Sequence, residues 1–130
     1  MRLTEGHLRL LVVLIALHSC TVGAMLFFAP QWAMSFAGWE RIEPVFFGRQ
    51  AGIFHVVLAV AYLIEYGRYR GVLTLVAAKT IAFVFLMGAT IVDPLPWAVW
   101  VSGILDGLMA VVVVVVHRLV AARPAGSAAG

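Results

Sequence analysis

The sequence predicts an all-α fold, an integral membrane four-transmembrane-helix bundle with its N- and C-termini cytoplasmic. Three observations predict it. Of 130 residues, 64% are hydrophobic and only 12% are charged, about half the charge of an average soluble domain. Mean hydropathy is +1.06, and a chain this short buries only about two-thirds of its surface against itself, so in water it would expose large apolar patches. The apolar residues fall into four runs, each close to the roughly 20 residues that a helix needs to cross a hydrocarbon core of about 30 Å with its backbone groups paired internally. A net charge of +3 raises the question of nucleic acid, but the basic residues form no single stripe, which argues against it. Cys20 is the only cysteine, so an internal disulfide, a CxxC pair and a thiolate-rich metal site are excluded.

The expected spans are residues 8–29, 46–64, 72–92 and 97–116, forming one domain over residues 1–120. Pro30 closes the first span and Pro44 precedes the second, because proline cannot continue a helix without losing a hydrogen bond. Leu17, His18, Ser19 and Cys20 resemble a lipoprotein cleavage box, yet apolar residues continue past Cys20 long enough to span, which favours an uncleaved helix. Between the first two spans, Gln31 to Val45 carries Trp32, Phe36 and Trp39 and reads as an interfacial loop or short surface helix. Glu65 to Gly71 reads as a solvated charged turn, and Asp93 to Pro96 as a tight turn that makes spans three and four an antiparallel hairpin. Residues 121–130 are small and of low complexity and are expected to be a disordered tail.

Charge placement orients these spans. A cytoplasmic N-terminus collects Arg2, Arg9, Arg68, Arg70, Arg118 and Arg123 on the inside and leaves Arg41 and Arg49 outside, a positive-inside bias. All four Trp (Trp32, Trp39, Trp97 and Trp100) then fall at the outer boundary and all three Tyr (Tyr62, Tyr66 and Tyr69) at the inner one, as amphipathic rings do at headgroup belts.

Ionisable residues within the spans are the functional clue, because each costs several kcal/mol at mid-bilayer unless it faces protein or water. His18, His55 and Asp106 each lie about ten residues into their spans and so share one depth, with Lys79 about a turn lower. Lys79 is the only lysine, and its flexible stem reaches toward Asp106. The pair reads either as an interior salt bridge that permits insertion or as a proton- or ligand-linked site. On span two, Gly48, Gly52, His55, Ala59, Tyr62 and Tyr66 share one stripe, which should face the bundle. On span four, Ser102, Asp106, Ala110 and His117 share a face, while Gly103 and Gly107 form a GxxxG pair that serves intrachain packing or a homodimer. Arg49 either snorkels to headgroups or closes the outer mouth of the bundle with Glu43 or Asp93 as its partner. Two histidines at one depth also permit haem, although no H-x-x-x-H or E-x-x-H spacing marks a metal site. His18 through Thr21 are expected to form a polar patch facing the other spans.

The string Phe46-Phe47-Gly48-Arg49-Gln50-Ala51-Gly52, opening the second of four spans, resembles the DoxX-like group of small bacterial membrane proteins. The resemblance implies a four-helix architecture in the bacterial inner membrane, matches the group's pattern at Arg49 and Gly52, and carries over no catalytic residue. Some members of that group are associated with quinone-linked sulfur or oxidative-stress redox chemistry. The leading expectation is therefore a polar intramembrane pocket, lined by His18, Arg49, His55, Tyr62, Lys79 and Asp106, that holds a small lipophilic ligand such as a quinone or lipid and assists a redox partner. A proton-coupled small transporter and a structural or assembly subunit of a membrane complex are the alternatives. Small drug exporters of similar length rely on a carboxylate in the first span, and Leu8 to Ala29 has none. No nucleophile motif appears at a spacing that supports catalysis, so an enzyme is the less favoured reading.

Overall fold

The computed structural model describes residues 3–122. Arg2, Arg123 and the expected tail beyond Ala122 lie outside them. Five helices follow in order: α1 (Glu5–Phe28), α2 (Pro30–Phe36), α3 (Phe46–Tyr69), α4 (Leu73–Val92) and α5 (Trp97–Ala121). The four long ones coincide with the expected spans and are long and apolar enough to cross a membrane. At most 28% of any span's most apolar stretch is buried within the chain, so the remaining apolar surface is compatible with contact to a lipid bilayer.

The helices outrun the apolar segments at their charged ends. α3 continues five residues past Ile64 and α5 ends at Ala121, because polar side chains break membrane solvation without breaking helical hydrogen bonds. α3 stops where Arg70 adopts a left-handed conformation (φ 54°) and donates its N–H to the Tyr66 carbonyl. The stretch after Pro30 contains the short surface helix, with Pro30 in its first turn, where a missing N–H costs nothing. Gln31 Nε2 donates to the Ile42 carbonyl at 2.7 Å and closes the loop that follows.

Packing is uneven. α1 lies along α3 and α4 along α5 as two close pairs, and the contacts between pairs are much sparser. Each close pair has a glycine contact. A Cβ on Gly23 would sit 2.7 Å from the Gly52 carbonyl oxygen, and one on Gly52 would sit 2.6 Å from the Gly23 oxygen; only glycine at both positions lets the backbones approach so closely. Gly103 lies against Met87 and Leu86, and a Cβ on Gly107 would meet the Phe83 ring at 2.8 Å. The GxxxG pair thus packs on α4 within the chain, which covers the surface that a homodimer through Gly103 and Gly107 would use.

The two pairs meet in an apolar core at one end of the bundle, where Leu8, Val12, Ile15, Tyr62, Tyr66, Val72, Leu75 and Val113 bury one another. Toward the α2 end they part. The expected stripe on α3 does turn inward, with Gly48, Gly52, Ala59, Tyr62 and Tyr66 all buried and His55 half-buried.

Candidate functional site

Where the pairs separate, all five helices border a cavity of about 470 Å³, α3 through His55. Its walls are apolar: Val22, Met25 and Leu26 from α1, Leu86 from α4, and Val101 and Leu105 from α5. Met34, Ala37, Trp39 and Trp97 form its rim. Its floor is polar and brings together His18, His55, Lys79, Asp106 and Ser102 from four helices. From Asp106 to Trp97 is nine residues of helix, so the cavity is about 13 Å deep along α5.

Lys79 is the most deeply placed of these groups, 5% exposed in a helix with no other charged side chain. Its Nζ donates to Asp106 Oδ1 at 2.6 Å. The stem does span the turn of height between them, as its length allows. Pairing answers the cost of burying either charge alone, and the short charge-assisted bond fixes α4 to α5 just above the apolar core. The second Asp106 oxygen, two of the three Lys79 N–H groups, both histidine rings and the Ser102 hydroxyl form no other hydrogen bond among the described residues. The floor thus has both donors and acceptors to spare, while its Lys and Asp charges cancel.

α2 supplies the roof. Ala33, Met34 and Phe36 line the cavity, and Trp32 stacks on Phe36, with ring centroids 5.8 Å apart. Phe36 meets Trp97 edge-on at 6.0 Å. Gly38, at φ +94°, reverses the chain beside Pro96 and Trp97; a Cβ there would be 3.0 Å from the Pro96 Cβ as well as conformationally strained. The sequence presents Trp39 and Trp97 as belt residues, and nothing in their spacing shows that a seven-residue helix folds back to make them a rim.

Four of the six expected site residues, His18, His55, Lys79 and Asp106, line this cavity; two do not. Tyr62 lies seven residues beyond His55, about 10 Å further along α3, and is sealed in the apolar core at 2% exposure. Arg49 is exposed and turned away from the mouth, because Gly48 occupies the inward stripe and the next residue is rotated by about 100°. Glu43 is not its partner: Glu43 Oε1 pairs with Arg41 at 2.5 Å. Asp93 is exposed and forms no ion pair among the described residues either.

The polar patch expected on α1 is divided. Ser19 is buried, His18 faces the cavity, and Thr21 Oγ1 donates to its own helix at the Leu17 carbonyl, 2.9 Å away. No group of three or more His, Cys, Asp or Glu side chains among the described residues is arranged to hold a metal ion. The charged turn also does more than meet solvent: Glu65 Oε1 and Oε2 accept the Leu73 and Thr74 N–H groups at 2.9 and 2.8 Å. That carboxylate therefore caps α4 from the end of α3.

Comparison with known proteins gives no matching family, no matching curated relative and no matching solved structure. The described residues form an all-helical bundle with four helices long and apolar enough to cross a membrane and a polar-floored cavity.

Proposed function

We propose that this protein binds a small lipophilic molecule with an uncharged, hydrogen-bonding head, a quinone or a lipid being the expected kinds, inside the membrane. One observation carries the proposal. A cavity with aliphatic and aromatic walls ends on a buried Lys79–Asp106 pair whose charges cancel but whose hydrogen-bonding capacity is not exhausted. Such a combination suits an apolar body with a polar tip, since walls of this kind supply most of the contact and a few convergent polar groups fix orientation. The DoxX-like resemblance at Arg49 and Gly52 points to the same class of ligand and to the bacterial inner membrane. The distribution of arginine supports an α2 end facing outward and cytoplasmic termini.

Binding accounts for the geometry better than transport does. The core around Tyr62 and Leu75 closes the bundle below the floor, so the cavity opens from one side, and transport would require this packed core to part in turn.

Organic extracts of the protein purified in detergent, analysed by mass spectrometry, test the proposal. The wild-type protein is expected to retain one lipophilic species above the background of bulk phospholipid, and Ser102→Trp, which fills the cavity, to lose it at unchanged thermal stability. The same retained species in both proteins, or bulk phospholipid alone in both, would overturn it.

A further inference from the structure

A second notch lies at the opposite end of the bundle from the cavity. It has a volume of about 360 Å³ and is lined by Glu5, Gly6 and Arg9 of α1 and by Arg70 at the end of α3. Two guanidinium groups from different helices converge on it, and neither forms an ion pair among the described residues. Tyr66 organises the notch from below: its hydroxyl donates to the Glu5 carbonyl and to Glu5 Oε2, each at 3.3 Å, while the Arg70 Cζ stands 5.5 Å from the centroid of its ring. Both the carboxylate and one guanidinium are thus positioned by the same side chain. Gly6 brings no side chain into the opening.

We infer that this notch binds the phosphate of an anionic phospholipid headgroup. Two positive charges set against Glu5 leave one net positive charge, which matches the single charge of a phosphodiester. Guanidinium pairs are suited to phosphate oxygens because their N–H forks engage two at once. The position is the second reason: α1 begins and α3 ends here, so in a chain whose four long helices span the bilayer the notch opens at headgroup depth, where basic pockets between helices recruit anionic lipid. The inference rests on that membrane placement and is independent of what the cavity binds.

Thermal unfolding of the full chain in detergent, titrated separately with phosphatidylglycerol, phosphatidylcholine and inorganic phosphate, tests it. Phosphatidylglycerol is expected to raise the unfolding temperature while the other two leave it unchanged. Arg9→Gln and Arg70→Gln should each weaken the phosphatidylglycerol response about fivefold in affinity, and Arg68→Gln, which lies off the notch, should not. Because Arg70 terminates α3 in a left-handed conformation, a variant that does not disturb that residue is also needed: Glu5→Gln removes the opposing charge and should strengthen the response. An unchanged response in Arg9→Gln together with an unchanged or weaker one in Glu5→Gln overturns the site. Equal protection by inorganic phosphate would assign the notch to a soluble anion in place of lipid.

Discussion

Lys79 and Asp106 show how a single pair sets the chemistry of this bundle. Each charge alone would be costly in a bilayer, and each side chain is nearly enclosed, 6% and 14% exposed respectively. Removing one partner of such a pair leaves the other uncompensated, at a cost of about 3–5 kcal/mol, whereas replacing both with apolar groups can be nearly neutral. Lys79→Met is therefore expected to lower the unfolding temperature and the folded yield more than Lys79→Met combined with Asp106→Leu. Thermal unfolding of the three proteins in one detergent checks this; equal damage in the single and double variants would reject the pairing. This much was legible in the sequence, since one lysine and one mid-span carboxylate have few other places to go. That Arg49 and Tyr62 lie off the cavity was not legible. A helical wheel assigns a residue to a face, but whether that face meets a cavity or a packed core depends on how neighbouring helices diverge.

At the scale of elements, the close contacts are made by glycine and the helix ends by charge. Gly23 against Gly52 joins α1 to α3, and Gly103 and Gly107 seat α4 on α5. The Gly48 and Gly52 stripe was readable as an inward face, and Gly23 shares a buried stripe of small residues with Ala16 and Ser19, but that these two stripes meet each other is visible only once the two helices are placed together. Glu65 is a similar case. In sequence it belongs to a hydrophilic turn; in the fold its two oxygens satisfy two of the N–H groups that the start of α4 leaves unpaired. Glu65→Ala should therefore destabilise the protein by about 1 kcal/mol, as loss of a helix cap does. Hydrogen exchange at Leu73 and Thr74 should accelerate relative to the rest of α4; unchanged protection there would show that the cap contributes nothing.

At the scale of the whole molecule, two tight helix pairs share one apolar core and separate above it, and the separation is the cavity. α2 covers the opening through the contact of Phe36 with Trp97. The positive-inside bias predicts that α2 faces outward. In a Cys20→Ser background, Glu40→Cys is expected to react with a membrane-impermeant thiol reagent in intact cells, and Gly67→Cys only after permeabilisation. The reverse pattern would invert the topology and place the cavity mouth on the cytoplasmic side.

Composition and hydropathy by themselves determined that the chain is helical, that it has four apolar segments and where each is interrupted, because backbone groups that must pair without water leave a helix as the simplest solution for runs of this length. They also determined which few polar residues lie at one depth. Only the tertiary structure decided that His18, His55, Lys79 and Asp106 surround a void while Tyr62 is sealed beneath it, and that two arginines distant in sequence share a notch. The reason is physical: hydropathy is a property of each segment alone, whereas a cavity is set by the angle between helix pairs, and that angle follows from a few side-chain contacts between residues far apart in the chain.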